Sequence, residues 1–323
     1  MILIIDAHGV MFRVCGRIEK EPIINARGEN ITGLYGIIGY MRDLLRRFDE
    51  VEEIVFAWDG QSQARKDIFP EYKAQRQPTS YSAAVHQQIN IVKNGFLMHF
   101  GVKQLHFEHI EADDVIGILS KALSGQGREN TIISGDKDML QLIGPCCNVY
   151  SYIKQKLITM DNVKRITGLM PQNLVEYLSL VGDNEDNIRG VDGIGEKWGK
   201  KIVDRYGTIE KIAEHADGLR LCINSNAEDK ALAKKALGLL DPAVQETVKF
   251  NRSLIKLGCL MSNEDNRLIL GEYLRQKVVF NKEAVQQILQ HYQLMEYQQQ
   301  ITDLAVCFGN MQHNYQSSTY CLR

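Results

Sequence analysis

The chain has 323 residues, of which 44% are hydrophobic and 24% charged, and its formal net charge is −2. That length can bury a large core in two domains, or in one domain and a lobe; the near-neutral balance excludes an overall cationic field, so any nucleic-acid surface must be a local basic patch. Seven cysteines without a Cys-x-x-Cys pair indicate neither a disulfide framework nor a zinc knuckle, no run of about 18 apolar residues offers a membrane span, and the apolar N-terminus is too short for a signal peptide, so a soluble protein of a reducing interior is expected.

Residues 2–5 are Leu or Ile and read as a buried strand ending at Asp6. Ala7-His8-Gly9 reads as a turn, followed by a helical pattern through Met11 and Phe12 that carries Arg13. Residues 21–30 read as loop and 34–48 as a helix with Leu44, Leu45 and Phe48 on one side. A second buried-type strand, 53–58, ends at Asp59. A third lies within 102–107 and is followed by Glu111, and a fourth, 131–135, ends at Asp136. Strands alternating with helices predict an α/β fold with a mainly parallel sheet, whose sites form beyond the carboxyl ends of the strands. Asp6, Asp59 and Asp136 sit at such ends. A single aspartate there commonly serves as a turn or cap residue, but three on one rim repel one another unless cations lie among them.

A helix beginning near Glu111 would bury Val115, Ile118, Leu119 and Ala122, with Asp113 and Asp114 in its first turn and Asp114 toward the apolar side. Favourable charge at a helix N-terminus accounts for exposed acids there and poorly for one on the buried face. Asp136 and Asp138 alternate on an extended or turning segment, and Asp183 and Asp186 lie three residues apart. Nine carboxylates with no His or Cys cluster suit Mg²⁺ or Mn²⁺ rather than zinc, and their number suits two or more ions. Paired ions about 4 Å apart serve displacement at phosphorus.

Between the second and third strands, residues 61–93 carry five Lys or Arg (Arg65, Lys66, Lys73, Arg76, Lys93) against Asp67 and Glu71, a local charge of +3. Lys73 and Arg76 would share one face of a helix as phosphate clamps, with Tyr72 free to stack on a base. A solvated surface helix is the plainer reading of such a run. Further on, Gly190, Gly193 and Gly195 surround Val191, Asp192 and Ile194 before a helical pattern starting near Glu196 with Lys197, Lys200 and Lys201. The glycines allow tight turns and close backbone approach, and a helix N-terminus there can receive a phosphate.

These residues resemble the 5′-nuclease family of flap endonucleases, phage 5′-3′ exonucleases and the N-terminal domain of bacterial DNA polymerase I. The resemblance rests on Asp6, Trp58-Asp59-Gly60, Glu71-Tyr72-Lys73-x-x-Arg76, Glu111-Ala-Asp113-Asp114, Ser134-Gly-Asp136-Lys-Asp138 and, most specifically, Gly182-Asp183-x-x-Asp186-Asn-Ile-x-Gly190-Val-x-Gly193-Ile194-Gly195, in the family's order. It implies a PIN-like nuclease domain over 1–177 with a short helical arch or clamp at about 60–94, a helical region over 178–308 that opens with a helix–three-turn–helix, and a polar tail over 309–323. Asp6, Asp59, Glu111, Asp113 and Asp114 would form one metal cluster, and Asp136, Asp138, Asp183 and Asp186 a second. Lys73 would act on the scissile phosphate, assisted by Arg76. Arg13, Arg65, Tyr72, Gly193, Ile194, Gly195, Lys197 and Lys200 would contact DNA, with a K⁺ ion at the helix–three-turn–helix in such enzymes.

The implied activity is Mg²⁺- or Mn²⁺-dependent hydrolysis of phosphodiesters in DNA with 5′ flaps, nicks or ends, in replication and repair. RNA–DNA hybrids and replication proteins remain open as partners. A monomer in the cytoplasm is expected, the host's cytoplasm for a phage-encoded chain. The absence of a polymerase-sized segment after the lobe leads to the expectation of a stand-alone, phage-like enzyme. Two other readings stay open: a non-catalytic branched-DNA-binding module of the same fold, and a metal-dependent phosphatase.

Overall fold

A computed structural model describes the chain except for residues 17, 49, 78, 224–226 and 299–323. The last stretch of the expected closing helical segment and the whole polar tail from 309 therefore lie outside the described residues.

The first half alternates β1 (Ile2–Asp6), α1 (Ala7–Val14), α2 (Thr32–Arg47), β2 (Glu53–Trp58), α3 (Gln63–Ile68), α4 (Ser80–Asn90), β3 (Lys103–His106), α5 (Ala112–Gly125), β4 (Asn130–Ser134), β5 (Cys147–Ser151) and β6 (Lys156–Ile158). The strands form one sheet in the order β3-β2-β1-β4-β5-β6. All neighbours are parallel except the β5–β6 hairpin. Every residue of β1, β2 and β4 is buried, because both faces of the sheet are covered. Side chains alternate along each strand. Ile2, Ile4, Val55 and Ala57 join an apolar cluster with α5, whereas Leu3, Ile5, Phe56 and Trp58 join another with α1, α2 and α4. Asp6 stands opposite Ala57, and Ile5 opposite Ile133, so β1, β2 and β4 end at one level.

The sequence expectations for β1 and β2 match these strands, and those for the third and fourth match to within two residues. Ala7-His8-Gly9 is the first turn of α1 rather than a free turn, because the Asp6 side chain accepts the Gly9 N–H and caps the helix. The 60–94 insertion is helical at α3 and α4, and both helices lie down on the body. Val85 and Ile89 of α4 are buried, and the buried Gln88 side chain accepts from Gly33 N–H and donates to the Asn30 carbonyl. Residues 70–77 contain no helix, so Lys73 and Arg76 do not share a helical face as expected.

The second half is helical: α6 (Val163–Thr167), α7 (Pro171–Val181), then a hairpin of β7 (Gly182–Asp183) and β8 (Ile188–Arg189), then α8 (Glu196–Tyr206), α9 (Ile209–Glu214), α10 (Ala216–Cys222), α11 (Ala227–Gly238), α12 (Pro242–Ile255), α13 (Asn263–Arg275), α14 (Lys282–His291) and α15 (Met295–Gln298). The apolar cluster around α5 continues through α7, α8 and α12, so sheet and lobe share one core. Among the described residues no helix is long and apolar enough to cross a membrane.

Candidate active site

The rim begins with Asp6, whose Oδ1 accepts the Gly9 N–H at 2.9 Å and whose Oδ2 accepts the Ser134 hydroxyl at 2.8 Å. A Cβ at Gly9 would fall 2.3 Å from that Oδ2, so any side chain there would displace the Asp6 carboxylate. Ser134 also accepts the Asp136 N–H at 3.0 Å and thereby ties the ends of β1 and β4 together. Asp59, half-exposed after β2, accepts the Ala112 N–H at the start of α5 at 2.9 Å, and its own N–H donates to His8 Nδ1 at 3.0 Å. Asp113 lies in the first turn of α5. Burial raises the Asp6 pKa to about 6, helped by the charges of Asp59 and Asp136 and opposed by the Gly9 and Ser134 hydrogen bonds. Asp113 is held well above the usual carboxylate range by burial and then by Asp136, Asp6 and Asp59. Four acids from three strand ends and one helix start therefore act on one another, as the parallel topology requires.

Asp136 caps the short 3₁₀ turn Lys137–Leu142 by accepting the Asp138 N–H at 2.8 Å. The Oδ1 of Asp138 is buried without a hydrogen-bond partner. Its pKa is raised to about 8 by burial and by the charges of Asp136 and Asp183. Asp183 is buried and ion-paired to Lys137 at 3.1 Å. Asp186 accepts the Tyr72 hydroxyl at 2.8 Å and Arg76 at 3.0 Å, with Lys73 Nζ at 3.8 Å. Lys73 also donates to Glu111 and has φ 56°, a left-handed backbone that a lysine adopts only when its surroundings enforce it.

Several expected roles are revised here. Asp114 is taken up by Arg65, which it shares with Glu111. Its carboxylate takes both terminal nitrogens of Arg65 and, at 2.7 Å, the Gly258 N–H, which leaves it no free edge for an ion. Arg65 is not a DNA contact: it is buried, donates to Glu111 at 2.7 Å, and gives its Nε to the Leu254 carbonyl at 2.8 Å. Tyr72 is buried as well and cannot stack on a base. Glu111 is enclosed between Arg65 and Lys73, which together outweigh its burial and hold its pKa low. The Ile194 side chain belongs to the core, so only its backbone can meet a ligand. Arg13 stays exposed at the rim, 5.3 Å from the Tyr152 ring centre. His8, Ser134 and Lys137 were not singled out in the sequence, although each lies within two residues of a rim aspartate.

Among the described residues no three His, Cys, Asp or Glu side chains are already gathered closely enough to hold one ion. The donor set nevertheless fits a hard divalent cation. It is all oxygen, it contains the unpaired Asp138 Oδ1, and the mutual repulsion of Asp6, Asp59, Asp113 and Asp136 is what a cation would relieve.

The glycine segment forms a second feature. Gly182, with φ 85°, opens the β7–β8 hairpin, and Gly190 closes it against Val181: a Cβ there would fall 2.2 Å from the Val181 carbonyl oxygen. The Asn251 side chain donates to the Ser179 and Arg189 carbonyls at 2.9 and 2.8 Å and fixes the hairpin to α7. Gly193 and Gly195 are exposed, Gly195 is the residue before α8, and no side chain caps that helix. Lys197 is exposed in its first turn, and Lys200 lies 5.9 Å from the Tyr177 ring centre.

An acid-rimmed parallel α/β domain joined to a helical lobe through a glycine hairpin defines a PIN-like architecture. The family model for the 5′-3′ exonuclease N-terminal resolvase-like domain matches residues 1–168, and that for the 5′-3′ exonuclease C-terminal SAM fold matches 169–263. The chain is 30% identical over 313 residues to DNA polymerase I of Caldicellulosiruptor bescii, an alignment covering 94% of this chain and 35% of that protein. It is 30% identical over 215 residues to a 5′-3′ exonuclease of Aquifex aeolicus, covering 66% of this chain and 72% of the relative. A solved structure of bacteriophage T5 D15 flap endonuclease with DNA and metal ions shares the fold at 19% identity and a TM-score of 0.61, over 90% of this chain and 99% of that one. The chain belongs to the 5′-3′ exonuclease family. It spans between 28% and 35% of the length of the polymerase I relatives it matches.

Proposed function

We propose that this chain is a divalent-cation-dependent 5′-nuclease that hydrolyses phosphodiesters near the 5′ ends of flapped, nicked or branched DNA, with RNA–DNA hybrids among its substrates, in replication and repair. The observation that carries the reading is that the charges of Asp6, Asp59, Asp113 and Asp136 act on one another on one rim next to the cationic Lys73, with Arg76 on the neighbouring Asp186. The T5 neighbour of the same fold, a flap endonuclease held in a pseudo-enzyme-product complex with DNA and metal ions, supports it.

In this reading Asp6, Asp59, Asp113 and Asp136 hold Mg²⁺ or Mn²⁺, and Asp138 contributes its unpaired oxygen to a second ion. When bound, such ions would supply a more acidic water and neutralise charge at the leaving oxygen. Lys73, now on Glu111 and near Asp186, is the cation placed to move onto an arriving phosphate, where its ammonium offsets the charge that builds up in the transition state. Arg76, with its side chain 57% exposed, guides the strand from the solvent side. The Gly193–Gly195 backbone and Lys197 hold duplex phosphates, which carry no base information, so selection follows substrate shape.

The test is cleavage of 5′-labelled flap, nicked, blunt and RNA–DNA substrates with Mg²⁺ and with chelator. Asp113→Asn is expected to lower the cleavage rate by about 10²-fold or more while retaining flap binding. Full cleavage by this variant would refute the site. Flap binding by the wild type without any cleavage would favour the non-catalytic module.

A further inference from the structure

Lys235 stands on α11, and its ammonium donates to the Gly193 carbonyl oxygen at 2.8 Å across 42 residues of sequence. The same nitrogen lies 5.2 Å from the centre of the Trp198 ring on α8. Gly193 has φ 79°, and its turn is closed by the Ile194 N–H donating to the Val191 carbonyl at 3.0 Å. A carbonyl oxygen in such a turn is a natural ligand for a monovalent cation, and an ammonium binds it in the same way. The Gly193 carbonyl already has such a partner, supplied by the chain. A tethered cation does not have to be drawn from solution, so it holds the turn in one shape at any salt composition.

We propose that Lys235 is a positioning residue of the duplex grip: its ammonium serves as a built-in cation on the Gly193 carbonyl, in place of the exchangeable K⁺ ion that the family resemblance implies. This rests on the hairpin being the duplex-binding element. Lys235 differs in this from the exposed Lys197, because its ammonium is directed at a backbone carbonyl and lies against the Trp198 ring rather than pointing outward. Its removal therefore loosens the turn that presents the Gly193 and Gly195 backbone, and a free K⁺ ion can then occupy the exposed oxygen.

The experiment measures affinity for a nicked duplex in chelator, which prevents cleavage, with KCl or tetramethylammonium chloride at equal concentrations. The wild type is expected to bind equally well in both salts. Lys235→Met is expected to bind about tenfold more weakly in tetramethylammonium chloride, the loss of one charged hydrogen bond, and to recover in KCl. Lys235→Arg, which keeps a cationic donor, is expected to bind as the wild type does. A wild type that needs K⁺ overturns the proposal, whatever the folding of the variants. So does a Lys235→Met defect that KCl does not restore and that comes with a fall of about 0.9 in the salt slope, the mark of a direct phosphate contact. Absence of duplex binding by the wild type would overturn the functional reading, and this inference with it.

Discussion

Arg65 shows how far burial changes the meaning of a charge. Its side chain is 4% exposed and that of Asp114 is 1%, and the pair also engages Glu111 and two backbone groups. Removing one member of such a pair leaves an uncompensated buried charge, whereas replacing both with apolar groups is often close to neutral. Arg65→Met should therefore lower unfolding free energy by roughly 3–5 kcal/mol, read by urea denaturation, and Arg65→Met with Asp114→Leu should recover most of it. A loss under about 1 kcal/mol in the single variant would contradict a buried pair and return Arg65 to the surface. The sequence made the strand-end acids legible, because Asp6, Asp59 and Asp136 each follow an apolar run and a parallel sheet brings such ends to one rim. It did not make Arg65 legible. Its partners lie 46 and 49 residues away, and a basic residue in a polar insertion looks the same whether it faces phosphate or carboxylate. Tyr72 failed in the same way, since its partner Asp186 is 114 residues distant.

At the level of elements, the glycine hairpin is where backbone shape decides. The Gly190 amide region presses on Val181, and Gly182 needs a left-handed φ, so neither tolerates a side chain. Gly190→Ala should cost about 1–3 kcal/mol through overpacking and should weaken duplex binding as the β7–β8 hairpin shifts away from Asn251. Gly218→Ala makes the control, because Gly218 lies within α10 with open space at its Cβ position and should gain up to about 1 kcal/mol. Equal melting temperatures for the two variants would show that the hairpin is not held tightly against Val181. The helix from Glu196 and the glycine turns before it could be read in advance, because glycine spacing and lysine-bearing helical periodicity are local signals. The β5–β6 hairpin could not. Cys147-Asn-Val-Tyr-Ser and Lys156-Leu-Ile are short and mixed; β5 is placed by its pairing with β4 and β6 by its pairing with β5, not by their own pattern.

Across the whole molecule, opposed titrations set how stability should respond to pH and to metal. Glu53 is buried, which would raise its pKa, but Lys103 at 2.8 Å and Arg128 at 2.9 Å outweigh that and hold it low. Its contribution is present above the unfolded carboxylate value and is lost as pH falls through the lower folded one. The rim acids run the other way. With Asp6 raised to about 6 and Asp138 to about 8, the folded protein keeps protons that the unfolded chain has already released. Fewer bound protons in the unfolded state make the stability of the metal-free protein fall as pH rises from about 4 toward 8. A divalent cation binds the ionised acids and competes with those protons, so it should restore what repulsion removes, and more so at higher pH. Melting curves at pH 5 and pH 8, with excess Mg²⁺ or with chelator, should show a Mg²⁺-induced rise of roughly 5 °C at pH 8 and little at pH 5. The rise should shrink in Asp113→Asn, which removes one of the repelling charges and one of the proposed ligands together. Equal Mg²⁺ shifts at both pH values, or an unchanged shift in that variant, would mean that the cation binds somewhere other than this rim.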